Sequence, residues 1–145
     1  MKCAITGFNG NLGSEFIKRF HKINFVKFNG NLKNKKKLEN WILNNDFDFF
    51  LHFAAIVPTN EVKKKYRIAK EINYTSTLNL IKFLKKKNKP IWFFFSSSSH
   101  VYKFSNFKIK ETSKKVPISK YGKLKLMAEN GLKKKTKNTK IKLCI

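Results

Sequence analysis

Five short apolar runs, separated by stretches with helical periodicity, set the strongest limit on what this chain can fold into. KCAIT (2–6), INFVKF (23–28), DFFLHFAA (48–55), IWFFFSS (91–97) and KIKLCI (140–145) read as strands. NLGSEFIKRFHK, NKKKLENWILNN, a long stretch from about Val62 to Lys87, and SKYGKLKLMAENGLKKK read as helices. In the long stretch Ile72, Leu80, Ile81 and Leu84 mark the inner face. Strands apolar on both faces and joined through helices make a parallel sheet covered on each side. The expected fold is therefore α/β, a doubly wound parallel sheet. With 145 residues and no repeat or linker, one domain spanning 1–145 is expected.

A formal charge of +25 suggests, taken alone, a polyanionic partner. Only Arg19 and Arg67 are arginines, however, and the lysines are spread along the chain beside abundant Asn, Phe and Ile. Forked guanidinium groups are favoured for phosphate and base recognition, so this distribution argues against nucleic acid. Runs such as Lys35-Lys36-Lys37, Lys63-Lys64-Lys65 and Lys133-Lys134-Lys135 are expected to be solvated helix faces. No apolar run is long enough to span a bilayer and MKCAITGFNG lacks a secretory h-region, so a cytoplasmic protein with no membrane partner is expected. Cys3 and Cys144 are expected to be reduced, buried packing residues, and no Cys/His spacing fits a metal. His21, His52 and His100 are expected in packing or at the surface, and Trp41, Trp92 and most Phe residues in the core.

The first strand runs directly into TGFNGNLG, with Gly7, Gly10 and Gly13 spaced as GxxGxxG and a helix following at once. Such a loop turns tightly, lets the backbone approach a pyrophosphate and offers it the N–H groups of a helix N-terminus. A strand before and a helix after supply the context that this motif requires. The acidic residue often found about 20 positions on, which holds the ribose 2′-hydroxyl, is missing: Asn29 ends the second strand, with Lys27 and Lys33 nearby. NAD and NADP both remain open.

Four further segments stand in a fixed order behind that loop: LHFAA (51–55), INYTSTLNLI (72–81), FFFSSSSHVY (93–102) and PISKYGKLKLMAE (117–129). Together the five resemble the extended short-chain dehydrogenase/reductases, the NAD-dependent epimerase/dehydratase family acting on nucleotide sugars. The resemblance implies a Rossmann domain and an NAD(P)-dependent epimerase or reductase with a nucleotide-sugar substrate. It implies catalytic roles for Ser98, from the SSxxVY strand end, and for Tyr121 and Lys125, from the YxxxK pair. It also implies a cofactor site of Gly7, Phe8, Asn9, Gly10, Asn11, Leu12, Gly13, Asn31, Leu32, Phe53, Ala54, Ala55, Asn73, Tyr121 and Lys125. Ala54 and Ala55 match the small residues over which cofactor passes at the fourth strand's end. Asn73 matches a helix Asn that orders the site, although capping or bridging backbone would serve equally. The resemblance admits a homodimer of a full-length parent. An acidic pair after the Ser strand, expected of a 4,6-dehydratase, is absent from SSSSHV, which favours epimerase or reductase.

The Tyr/Lys pair makes chemical sense in its own right. A free phenol has a pKa of about 10, too high for a base near neutrality. Residues four apart on a helix share a face at a Cβ separation of roughly 5–6 Å. An ammonium about 4 Å from a phenolate, at an effective dielectric near 20, is worth up to about 4 kcal/mol before screening. Lys125 is accordingly expected to bring the Tyr121 hydroxyl into working range. Ser98 is preferred to its neighbours Ser97 and Ser99 as its partner.

Two departures from the family pattern stand out. The connection after the second strand is compressed to NGNLKN, with Asn31 and Asn34 where acids are expected. The chain also ends at KLCI, in what the resemblance makes the sixth strand, truncated before the C-terminal substrate domain. Ile141, Leu143 and Ile145 are then expected to be short of cover, and the 145 residues alone to have poor solubility and weak activity. The rival readings are a non-catalytic dinucleotide-binding module for redox sensing or scaffolding, an inactive fragment, and a basic nucleic-acid-binding domain.

Overall fold

A computed structural model describes residues 1–145. Its sheet is parallel throughout, with strands β1 (Lys2–Thr6), β2 (Asn24–Lys27), β3 (Phe49–His52), β4 (Ile91–Phe95) and β5 (Ile141–Cys144) in the order β2-β1-β3-β4-β5. Helices α1 (Asn11–Arg19), α2 (Lys35–Asn44) and α6 (Lys120–Thr136) join them, together with a composite helix between β3 and β4. This is the doubly wound α/β architecture expected from the alternation of apolar runs. The chain leaves β1 in one direction for β2 and crosses over to β3 in the other, so a crevice opens at the strands' carboxyl ends between β1 and β3.

The long helical stretch is not continuous. It divides into α3 (Thr59–Lys64), α4 (Tyr66–Lys70), a π-helical turn (Glu71–Ser76) and α5 (Thr77–Lys86), with a break at Lys65. The expected inner face holds at Leu80, Ile81 and Leu84, which are fully buried, while Ile72 is only half-buried. The last strand is the fifth, not the sixth, and Ala54 and Ala55 follow the third, not the fourth. The few residues between β2 and α2 cannot build another crossover to a parallel strand, which needs a dozen or more. They form a tight connection instead, in which the Asn34 side chain accepts the Lys37 N–H and caps α2. Replacing Asn34 with alanine should cost about 1 kcal/mol, read as a lower urea midpoint with an unchanged slope.

Alternate strand residues face opposite ways. Phe50, Ile91, Phe93, Phe95 and Ile141 point to one side, where they pack with Leu38 and Ile42 of α2, Leu80, Ile81 and Leu84 of α5, and Ala128 and Leu132 of α6. The Phe50 and Phe93 rings stack there at 5.2 Å. On the other side α1 sends Phe16 against Phe25 and Phe53. Beyond α1 that side stays bare, and Phe16, Phe49, Leu51, Phe53, Trp92, Phe94 and Cys144 line an apolar hollow of about 390 Å³. Three expectations therefore need correction. Cys144 is exposed and Trp92 is 50% exposed, because no helix covers that side of β4 and β5, and Phe104 and Phe107 lie at the surface in the segment between β4 and α6. Cys3 is buried as expected. Ile141 is buried and Leu143 half-buried against the core, so lack of cover at the β5 edge is confined to Cys144 and Ile145.

Candidate functional site

The loop after β1 is built by contact as much as by turn geometry. Gly7 adopts φ +73, and a Cβ there would lie 2.5 Å from the Ala54 nitrogen. A Cβ on Gly13 would lie 2.2 Å from the Gly7 carbonyl oxygen. Both glycines are thus fixed by backbone packed against backbone. Gly10 differs: a Cβ there would meet only the Gly7 oxygen, at 3.5 Å, so the space in front of it is open. Gly10 precedes the first turn of α1, which has no acidic side chain and offers its free N–H groups and positive dipole end to an anion.

In front of the loop lies a groove of about 760 Å³. Its wall includes Gly7, Asn9, Gly10, Asn11, Leu12, Gly13, Asn31, Leu32, Phe53, Ala54 and Ala55, so eleven of the residues expected at a cofactor site meet there. Phe8 does not line it, since its ring lies under the Lys27 ammonium at 5.8 Å. Gly30, Ile56, Val57 and Ile72 also line it and had not been anticipated. Reading on past Ala55 along the same strand end would have found Ile56 and Val57; Gly30 beside Asn31 carried a weaker signal. Asn31 accepts the Lys33 N–H in a tight turn, and the Lys33 ammonium stands 3.9 Å from Glu71.

Asn73 is buried behind this wall, with Nδ2 donating to the Ile56 carbonyl and Oδ1 accepting the Ile56 N–H, both at 2.8 Å. Of the two roles open to it, the structure shows the backbone bridge. His52 is buried beside it, with Nδ1 2.6 Å from the Thr6 hydroxyl and Nε2 2.9 Å from that of Thr77. Thr77 donates its own proton to the Asn73 carbonyl, so it accepts from Nε2–H, and Nδ1 accepts from Thr6. The imidazole is thereby held neutral; burial first, and then the Lys125 charge, lower its pKa to about 3.

The third group of residues gathers where β4 ends. Ser119 caps α6 by accepting the Gly122 N–H. A Cβ on Gly122 would fall 2.2 Å from the His100 carbonyl oxygen, so the first turn of α6 sits directly on the turn Ser99–Val101. This close approach aligns α6 with the three serines after β4. The Lys125 ammonium donates to the Ser96 carbonyl at 2.6 Å, the Ser97 hydroxyl donates to Glu129, and the Ser98 hydroxyl, which accepts the His100 N–H, lies beside the Tyr121 phenol. Ser98 is the one that meets Tyr121, whereas Ser97 is taken by Glu129 and Ser99 enters the following turn. Tyr121 is 7% exposed and packs with Val62, Ala69 and Leu124, with Ile56 alongside. Ile56 therefore borders both the groove and the Tyr121 cluster.

The electrostatics differ from expectation. Burial raises the Tyr121 phenol above its ordinary value, with the Ser98 hydroxyl pulling the other way. Lys125 supplies no lowering, because its ammonium is 5.9 Å from the phenol ring centroid and is turned onto the Ser96 carbonyl. Burial pushes Lys125 itself down to about 8, opposed by the Glu129 carboxylate.

Three comparisons bear on this site. The chain matches the RmlD substrate binding domain family over residues 1–142. It is 32% identical over 101 residues, 70% of this chain and 30% of the relative, to the UDP-glucose 4-epimerase of Mycoplasma genitalium. Its fold superposes on the UDP-Glc/GlcNAc 4-epimerase of Campylobacter jejuni with a TM-score of 0.89 at 26% identity, covering 99% of this chain and 52% of that one. It also superposes on the dTDP-4-dehydrorhamnose reductase of Bacillus anthracis, solved with NADP, with a TM-score of 0.80 at 19% identity, covering 92% and 49%. The chain thus spans about half the length of these solved proteins. A match over nearly every residue, on a doubly wound sheet whose glycine loop and Ser/Tyr/Lys cluster share one rim, settles the kinship: the chain belongs to the RmlD substrate binding domain family, within the extended short-chain dehydrogenase/reductases.

Proposed function

We propose that this chain supplies the dinucleotide-binding and proton-handling half of an NAD(P)-dependent epimerase or reductase acting on a nucleotide sugar. The observation that carries the reading is the gathering of Ser98, Tyr121 and Lys125 at the carboxyl end of β4, on the rim that also bears the glycine groove. The groove fits a dinucleotide: Gly10 leaves a hollow that a Cβ would fill, and the α1 N-terminus behind it suits a pyrophosphate. Residues 7 and 9–13 would hold the phosphates, Asn31 and Leu32 the adenosine end, and Phe53, Ala54 and Ala55 the passage towards β4. The names of the matched relatives, two 4-epimerases of UDP-sugars and a reductase solved with NADP, support the choice of substrate and cofactor class.

When bound, the nicotinamide ring supplies a hydride acceptor or donor. A carbinol carbon that gives up hydride becomes a carbonyl, so its hydroxyl proton must leave too. Tyr121 takes that proton in oxidation and returns it in reduction. Ser98 donates a hydrogen bond to the same sugar oxygen, and Lys125 keeps a cation next to the phenol and within reach of the nicotinamide ribose. Titrating the chain with NADH and with NADPH, followed by nicotinamide fluorescence, tests this. Saturable binding of at least one is expected, and preference for NADPH would mean that Lys27 and Lys33 meet a 2′-phosphate. Affinity weaker than about 1 mM for both would overturn the reading.

A further inference from the structure

We infer that Glu129 is a positioning residue for the proton-handling group, bracing the end of β4 through Ser97 and supplying the counter-charge that faces Lys125. The inference rests on the reading of Ser98, Tyr121 and Lys125 given above, and it adds a residue that reading does not use.

Tyr121, Lys125 and Glu129 follow one another at four-residue intervals, so they form one stripe down α6, and their exposures are 7%, 3% and 2%. The stripe faces three consecutive residues of the chain after β4. The Ser96 carbonyl meets Lys125 and the Ser97 hydroxyl meets Glu129, which makes two latches, with Ser98 beside Tyr121. Glu129 is a carboxyl side chain in a place where carbon would pack as well: Leu124, Ala128 and Leu132 on the same helix are fully buried. A buried carboxylate is unfavourable unless every oxygen has a partner. Here Oε1 accepts from Ser97 and Oε2 from the Lys115 ammonium, which reaches in from the segment between the turn Ser99–Val101 and α6.

The charged surroundings show what that carboxylate serves. Around Lys125 stand the phenol of Tyr121, the neutral imidazole of His52 and the carboxylate of Glu129; only the last is anionic. Burial works against the Lys125 charge and Glu129 works for it. A cavity of about 450 Å³ beside Glu129 is also lined by Lys115, Lys133 and Glu111. The carboxylate thus sits between one buried cation and two others nearer solvent.

The test uses the whole chain carrying 13C-labelled lysine, with the Lys125 ε-carbon resonance assigned as the one missing from Lys125→Arg. In Glu129→Gln, which keeps the shape and an acceptor for Ser97, the Lys125 titration midpoint should fall from about 8 by about one pH unit, tenfold in proton affinity. Glu129→Asp should recover most of that shift. In Lys115→Met the carboxylate loses its outer cation, and the Lys125 midpoint should rise. An unchanged midpoint in a folded Glu129→Gln chain would overturn the inference. If that variant does not fold, a fall or no change in Lys115→Met would overturn it. Neither measurement needs dinucleotide or sugar, so failure of NAD(P)H to bind would remove the proposed function and leave the Glu129–Lys125 coupling standing.

Discussion

Gly13→Ala is expected to abolish dinucleotide binding and to destabilise the chain by about 2–4 kcal/mol, the upper end for overpacking. The added methyl would lie 2.2 Å from the Gly7 carbonyl oxygen and 2.9 Å from the Phe8 Cα. Both are backbone atoms, so neither moves without moving the loop. Gly7 is itself pressed against Ala54 at the end of β3, and the shift would pass into the groove wall. The control is Gly10→Ala, whose methyl meets only the Gly7 oxygen at ordinary contact distance. That variant should unfold at nearly the parent urea concentration yet bind NADH or NADPH at least tenfold more weakly, because the methyl occupies the hollow in front of the helix N-terminus. Unchanged binding in a stable Gly10→Ala chain would mean that the open side of Gly10 has no ligand to accommodate.

Tyr121→Phe is expected to lower hydride exchange between NAD(P)+ and a nucleotide sugar, or between NAD(P)H and its keto form, by about 10²–10⁴-fold, the range for a positioned general acid or base. Assayed in a protein that contains this chain and turns over, it should leave cofactor binding nearly unchanged. The hydroxyl is the only group removed, and the ring keeps its packing against Val62, Ala69 and Leu124. The pH dependence has a definite sign. Burial holds the Tyr121 hydroxyl above its ordinary value, so at neutral pH it carries its proton and is ready to donate it in reduction. Oxidation requires the phenolate and should quicken as pH rises. A Tyr121→Phe enzyme with full exchange would leave a dinucleotide-binding module without proton chemistry.

How much of this was legible in the sequence depended on how far each feature is a local matter. Strand positions were readable because buried parallel strands are apolar throughout, and IWFFF between polar flanks has no other good use. The glycine groove was readable because Gly7 and Gly13 answer to contacts within the loop and with the neighbouring strand end. The long helix from residue 62 was misjudged because periodicity does not register the break at Lys65 or the wide turn at 71–76, both of which answer to tertiary contacts such as the Asn73–Ile56 bridge. His52 passed as a packing residue because its two threonine partners lie 46 and 25 residues away. Spacing placed Lys125 beside Tyr121 correctly but gave no hint that the ammonium would turn to a carbonyl after β4. The same limit hid Glu129, since one acid eight residues along a lysine-rich helix looks like surface until its partners are seen.

The bare side of β4 and β5 has a practical consequence. Of the two tryptophans, Trp41 packs against Phe28, Phe47 and Phe50 within the core, while Trp92 looks out from the uncovered side with the Lys142 ammonium above its ring. Their emission should therefore separate into a blue component that fades only with global unfolding and a red, readily quenched component that shifts to shorter wavelength whenever another polypeptide segment settles on the sheet. The molecule carries its own optical gauge for anything that docks on that face.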